Sequence, residues 1–442
     1  MEPEKHQTAP VRAREKGEPA GAAERVFPAG RREVYNRWDL SSDAPEIAYL
    51  FTTFPKTTEM FLQREIAALR AKGVRLRIFS MWGGGGAFRG IDVRAFSKWR
   101  LLELFWLIPY ETWRKPEIMG QLLRGLVTRL PPSWINFWEN MLGAGFACVH
   151  AREFRRHPPG LIHAAWSGAP ATAAWLLWRM DGRRFTAGAH AYDVFEHGGD
   201  WWLAEKLAPA VFVHTSSEVA RAGLVARGID ADKVVCIRSG LERLPALKPL
   251  RSSRSPLHLL CLARLIEKKG IDRQLRIYAA LKSSGVDFTA RIVGDGPLRQ
   301  RLERLAGHLG VSELVTFTGQ VPPHEVWEHL DWADALLHTG IVAPSGDRDG
   351  LPNVIPEAMA AGVPVVTSPA AGTTEAVSDG VSGVVLPVDR PEAWVFVLRR
   401  LSVDDVFCES LRRAARGWVE ANFDVRTNTE RLLRRLEAAA AQ

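Results

Sequence analysis

The chain has 442 residues, enough for two α/β domains with tails, and its 46% hydrophobic and 24% charged content is that of a folded globular protein, not a disordered one. No run of about 18 uncharged apolar residues occurs, which argues against a spanning helix; the longest candidate, 101–110, is interrupted by Glu103 and Pro109. The formal charge of +8 is uneven: residues 1–248 carry 35 Lys and Arg against 26 Asp and Glu, and the remainder 23 against 24. Such a first half is drawn toward anionic lipid or a charged acceptor. Nucleic acid is a poor fit, because no compact basic module or helix-turn-helix pattern is present.

In chain order, residues 1–44 lack the apolar stretch of a signal peptide, and their Glu, Lys, Arg, Pro and Ala content predicts a disordered tail. A buried strand follows at 46–51, then a helix over 57–72 with Phe61, Leu62, Ile66 and Leu69 on one face, and a strand at 74–79. Residues 82–157 break this rhythm. Four glycines (83–86) lead into helical stretches where Trp99, Trp106, Trp113, Trp134 and Trp138 alternate with Arg100, Arg114, Lys115, Arg124 and Arg129. Two readings stand for this insertion: a helical cover with its indoles buried, or a surface facing the lipid headgroups of an inner leaflet. Strand patterns resume within 161–166, 183–193, 211–217 and 233–240. Residues 244–256, rich in Pro, Ser and basic side chains, read as an interdomain linker. A second strand series lies within 257–261, 288–296, 315–319, 333–339, 363–368 and 382–388, and two or three helices follow from 391. The expected units are a first domain over 45–243, a second over 257–424 and a terminal helix over 425–442. The four cysteines are scattered without metal-ligand spacing, which predicts free thiols and a reducing, cytoplasmic location.

Chemistry concentrates in the second half. Asp349 precedes Gly350-Leu351-Pro352-Asn353, and Glu357 stands eight residues after Asp349. Pro352 suits a first helical turn, and the free amides of such a start form an anion site. Asp349 is then expected at the lip, and Glu357 about two turns inside, where it can accept ribose hydroxyls. Arg264 and Lys269 lie where a strand ends and a helix opens, a place unfavourable for cations unless an anion is bound there. Lys268 reads as their solvated neighbour. Asp347-Arg348-Asp349 invites a divalent ion, but Arg264 and Lys269 already supply positive charge. In the first half, His190 closes a strand, Asp193 reads as a cap for the next segment, and Ser216 as the cap of a helix with Glu218 in its first turn.

The Asp349-x7-Glu357 spacing and Arg264-x4-Lys269-Gly270 resemble the signatures of retaining glycosyltransferases of family 4, which have the GT-B fold. Asp349 stands where that family usually has Glu. The segment Phe54-Pro55-Lys56-Thr57-Thr58-Glu59-Met60-Phe61, with Arg64-Glu65-Ile66, resembles the exopolysaccharide and lipopolysaccharide subgroup. The resemblance implies an α/β protein with two Rossmann-like, doubly wound parallel-sheet domains facing a central cleft, and a terminal helix crossing back onto the first. It implies transfer of a sugar from a nucleotide-diphosphate sugar, as co-substrate, to a glycan or lipid-linked acceptor, with no metal or other cofactor. Carried over, the catalytic set is His190, Arg264, Lys269, Asp349 and Glu357. The donor-binding set is Gly294, Gly296, Val321, Gly350, Leu351, Pro352, Asn353 and Glu375, and Lys56 and Glu59 lie on the acceptor side. Glu375 could equally favour its own helix start. The alternatives are a hydrolase or epimerase of nucleotide sugars with the same fold, and a non-catalytic scaffold at a membrane. Sugar, base and acceptor are left open.

Overall fold

The computed structural model describes residues 46–442 apart from 243 and 252; the tail expected over 1–44 lies outside the described residues. Two parallel sheets form the body. The first has eight strands: β1 (Ile47–Phe51), β2 (Leu76–Ser80), β3 (Gly86–Phe88), β4 (Ile91–Ala95), β5 (Leu161–Ala164), β6 (Phe185–Gly188), β7 (Val213–Thr215) and β8 (Val234–Cys236). Their order is β3-β4-β2-β1-β5-β6-β7-β8, parallel throughout except for the β3–β4 pair. The second has β9 (Leu257–Leu262), β10 (Phe288–Val293), β11 (Val315–Gly319), β12 (Ala335–His338), β13 (Val365–Thr367) and β14 (Val384–Val385), in the order β11-β10-β9-β12-β13-β14. In both sheets the chain starts centrally and winds to each side, so the strand ends leave a crevice where the order reverses.

Central strands of such sheets are covered on both faces and read as unbroken apolar runs. Ile47-Ala48-Tyr49-Leu50-Phe51 is one, and every residue of β1 is buried. One face of the first sheet packs on Phe146, Phe154, Trp175 and Leu177. The other packs on Leu62 and Ile66 together with Leu432, Leu433 and Leu436 from the last helix, Val425–Ala441. That helix therefore belongs to the first domain's core, although it follows the second domain in sequence. The crossing is tight. Leu241 and Asp424 form a parallel bridge, Leu241 N–H donates to the Phe423 carbonyl at 2.8 Å, and Asp424 caps the final helix.

The expected linker is not a free strap. Leu244 is buried in a second-domain cluster, Arg251 donates to Asp334 at 2.9 Å, and buried Arg254 donates to the Leu401 carbonyl at 2.7 Å. Its basic residues are there to pair with second-domain acceptors, which composition alone does not show. The four cysteines are free thiols. No helix among the described residues is long and apolar enough to cross a membrane.

At the crossing, a Cβ added to Gly240 would lie 2.0 Å from the Cα of Val425 and 2.3 Å from its nitrogen. Gly240→Ala should therefore displace the terminal helix, costing about 1–3 kcal/mol as overpacking does. Urea denaturation would show this loss, and limited proteolysis should cut near residue 425 faster than in the wild type; unchanged stability would contradict the tight crossing.

Candidate active site

The crevice between the sheets is closed by polar contacts, and nearly all the residues singled out from sequence lie along it. The loop after β9 carries Lys268 and Lys269, and the loop after β12 carries Asp347 and Asp349. Lys269 Nζ lies 2.5 Å from Asp349 Oδ2, and Lys268 Nζ lies 2.9 Å from Asp347 Oδ1 and 3.5 Å from Asp349 Oδ1. His338, at the end of β12, places Nε2 3.7 Å from Asp349 Oδ2. Burial pushes the Asp349 carboxyl up, but Lys269, the nearby His338 imidazole and Lys268 outweigh it and hold the group far below the usual carboxylate range. Asp349 is thus a largely covered, ionised anchor and not a carboxylate on the lip. Lys268 is likewise no solvated neighbour: its side chain is 3% exposed and straddles the two aspartates. Both carboxylates of the Asp-x-Asp triplet are therefore neutralised by lysines. Arg264, by contrast, is exposed and has no ion-pair partner among the described residues.

The short Gly350–Asn353 segment turns the chain from this anchor into the helix Val354–Ala361. Gly350 is pressed against the first domain: a Cβ there would lie 2.8 Å from Ser217 Oγ and 2.9 Å from the His190 carbonyl oxygen. Leu351 and Pro352 are buried, and Asn353 Oδ1 accepts from Ser239 Oγ at 3.2 Å. The helix begins later than its sequence suggests, so Glu357 sits in its first turn and not two turns inside. There Glu357 Oε1 accepts from Arg64 at 2.7 Å, and both side chains are mostly buried. Glu357 Oε2 has no partner among the described residues.

Glu375 departs further from its expected place on the donor. Its carboxylate accepts from the Glu218 and Val219 amides at 2.9 and 2.8 Å, and from Arg238 at 3.2 Å. It bolts the second domain to the start of a first-domain helix, Glu218–Val225, where free amides favour a carboxylate. That helix is capped from within by Ser217, not Ser216, through the Ala220 amide. Gly294 and Gly296 serve the loop itself: Cβ atoms there would lie 2.0 Å from the Ala263 carbonyl oxygen and 2.6 Å from that of Leu265. They let the turn after β10 lie flat against the Arg264 segment. Val321 packs at the edge of the second-domain core, and its neighbour Gln320 donates to Thr57 across the crevice at 3.2 Å.

On the first domain His190 is 4% exposed, and neither ring nitrogen has a hydrogen-bond partner of good geometry. Its ring is walled by Trp166, Phe61 and His214, with centroids 5.1, 5.4 and 5.4 Å away. Asp193 Oδ1 accepts from the His190 and Ala191 amides at 3.0 and 2.9 Å, which fixes the turn that carries the imidazole. Glu59 accepts from Trp166 Nε1 at 3.1 Å and from Lys56 at 2.7 Å, so both acceptor-side residues stand beside the indole that walls His190. Sequence reasoning assigned no role to Arg64, Ser217, Arg238 or His338. Arg64 and Arg238 act through carboxylates on the other domain, at Glu357 and Glu375, and no local spacing reveals such a pairing.

Burial pushes the His190 imidazole down to about 4. A histidine lowered below its unfolded value near 6.5 is neutral in the folded protein at pH 7, and its burial weakens folding as pH falls from about 6.5 toward 4. Relative to wild type, His190→Gln should therefore gain about 2 kcal/mol of stability between pH 7 and pH 5. Denaturant titrations of both proteins at the two pH values check this; a constant difference would mean the imidazole is solvated.

Residues 247–418 match the family described as glycosyl transferases group 1. The amylovoran biosynthesis glycosyltransferase AmsK of Erwinia amylovora is 30% identical over 418 residues, covering 89% of this chain and 100% of that protein. A GDP-mannose-dependent alpha-(1-6)-phosphatidylinositol monomannoside mannosyltransferase of Mycolicibacterium smegmatis is 30% identical over 305 residues, covering 61% of this chain and 75% of its own. Among solved structures, HepE of Anabaena in complex with UDP and glucose superposes with a TM-score of 0.66 at 19% identity, covering 89% of this chain and all of that one. The sucrose-phosphate synthase of Thermosynechococcus elongatus does so with a TM-score of 0.68 at 17% identity, with 89% and 100% covered. The fold is GT-B, and the chain belongs to the group 1 glycosyltransferases.

Proposed function

We propose that this glycosyltransferase moves a sugar from a nucleotide-diphosphate donor to a glycan or lipid-linked acceptor, with retention of anomeric configuration and without a metal ion, in assembly of a cell-surface polysaccharide. The observation that carries this reading is the junction of the Lys269–Asp349 pair with Gly350, whose Cα backs onto the His190 segment. It joins a fixed cation, a helix start and a neutral imidazole at one seam between the domains. AmsK is named for amylovoran synthesis, and the HepE structure holds UDP, which supports a nucleotide-sugar donor here.

In this reading, Lys269 and the free Arg264 face the departing diphosphate. Negative charge grows on that oxygen as its bond to the anomeric carbon breaks, so cations fixed there lower the barrier more than they tighten ground-state binding. The Asp349 carboxylate holds Lys269 in place. Glu357 Oε2 is available to a ribose hydroxyl while Oε1 stays with Arg64. Neutral His190 offers a ring N–H to the sugar. The acceptor oxygen bonds to the anomeric carbon on the face that the diphosphate leaves, and its proton passes to the departing phosphate oxygen. Lys56 and Glu59 orient the acceptor. Positive charge that a metal ion would otherwise bring is supplied by side chains, and the reaction is placed in the cytoplasm.

Lys269→Ala should lower kcat about 10²–10³-fold, as loss of one fixed charge-stabilising group does, while the fold is kept. Arg264→Ala should lower it less, because the guanidinium is exposed. Assays with UDP-, GDP- and ADP-sugars, with product configuration read by NMR, check the proposal. Full activity in Lys269→Ala, inverted product, or free sugar as sole product in the presence of acceptor would refute it.

A further inference from the structure

The insertion between β4 and β5 leaves most of its large apolar side chains exposed. In the helix Leu104–Arg114 the buried residue is Glu111, whose carboxylate is held by Arg114 at 2.7 Å and by Arg155 at 3.0 Å. The same two arginines hold Asp181, at 2.8 and 3.0 Å. This network of four charges clamps the polar side of the helix onto the domain. Leu104 and Leu107 pack against the domain's core beside it, whereas the large aromatics face outward: Phe105 is 79% exposed, Trp106 63% and Trp113 80%. Trp99 precedes them at 82%. The next helix, Pro116–Thr128, packs on this one and buries none of its own residues; Leu123, Val127 and the following Leu130 are exposed at i, i+4 and i+7. Trp134 and Trp138 continue the surface onto the helix Trp134–Arg156. An exposed apolar patch of this extent marks a contact site.

Its chemistry selects the partner. Residues 97–138 carry six Lys and Arg against three Asp and Glu. Of the three acids, Glu111 is turned inward and Glu103 is paired with Arg100. Lys115 and Arg124 have no ion-pair partner among the described residues, and Lys98 lies 3.4 Å over the exposed Trp82 ring. Indoles, a tyrosine and free cations on one outward surface match the interfacial zone of a bilayer bearing negative headgroups. A second protein chain would more often meet charge-depleted aromatics at an interface core. The buried cover weighed from the sequence is thus overturned: all five of its tryptophans are more than half exposed.

We propose that the face formed by 97–138 seats the first domain on an anionic lipid bilayer, with the exposed tryptophans at headgroup depth and Lys115 and Arg124 against lipid phosphates. This deepens the reading of a lipid-linked acceptor, since the same helix system reaches the acceptor side: Asn140 and Asn136 both donate to Asp200, and Glu139 abuts Gly168 beside Trp166. Lipid attachment nevertheless stands apart from catalysis and can fail alone.

The test is co-sedimentation of the full chain with phosphatidylcholine vesicles, with and without 30% phosphatidylglycerol (about one lipid in three). The wild type should bind the mixed vesicles at least tenfold more tightly than the neutral ones, with a blue shift of tryptophan emission. Trp99→Ser/Trp106→Ser/Trp113→Ser should lose binding to both, and Lys115→Glu/Arg124→Glu should lose the preference for anionic lipid. Both variants should keep wild-type transfer to a soluble acceptor and wild-type thermal stability. Absence of wild-type binding to either vesicle overturns the proposal. So does a wild-type dimer that the tryptophan variant converts to monomer, because a second copy would then cover the face. Vesicle binding without any glycosyl transfer would instead overturn the enzymatic reading and leave this one in place.

Discussion

The ion pair of Lys269 with Asp349 is the contact around which the crevice is arranged. An ammonium held in a protein cleft is costly unless an opposite charge and hydrogen bonds accompany it. Asp349 meets that need, and Lys268 and His338 hold Asp349 in turn. The arrangement leaves the loops after β9 and β12 joined before any donor arrives. In the proposed reaction a donor diphosphate would meet a cation already in position, so that little rearrangement is needed as charge develops. The same pair places Gly350, and Gly350 places the helix start against the His190 turn.

The domains are held by polar contacts distributed along the seam. Arg64 with Glu357, Glu375 with two helix-start amides, Gln320 with Thr57 and the Ser345 carbonyl with the His197 amide each join one domain to the other. Such contacts exchange readily for water, unlike a continuous apolar seam, and interfaces of this kind permit relative domain motion. Arg64 and Glu375 join the domains in the arrangement in which the candidate groups converge. The terminal helix supplies the permanent connection, with Leu432 and Leu436 fully committed to the first domain's core.

Much of this was legible in the sequence. Buried parallel strands announce themselves as apolar runs, so the strands of both sheets followed from segments such as 47–51 and 363–368, and the double winding was what the family resemblance implied. The resemblance carried by the Asp349-x7-Glu357 and Arg264-x4-Lys269 spacings singled out the two second-domain loops that the Lys269–Asp349 pair joins. What escaped was set by tertiary partners. Glu357 was placed too deep because Pro352 suggested an earlier helix start than the buried Gly350–Pro352 turn permits. Glu375 looked like a ligand group, since nothing near it in sequence shows the amides of Glu218 and Val219. Gly294 and Gly296 looked like room for a nucleotide, whereas the space each leaves is already filled by the Ala263 and Leu265 carbonyls. Composition showed that the insertion was rich in Trp and Arg, but only the inward turn of Glu111 decided which side of its helices faces out.

If Lys269 binds the diphosphate and Asp349 merely holds it in place, calorimetric binding of UDP and GDP to wild type, Lys269→Met, Asp349→Asn and the double variant will show it. Lys269→Met should weaken binding of the favoured nucleotide at least tenfold, and Asp349→Asn should have a smaller effect. Asp349→Asn should add little once Lys269 is gone, as expected for coupled neighbours. Equal nucleotide affinity in wild type and Lys269→Met would rule this role out.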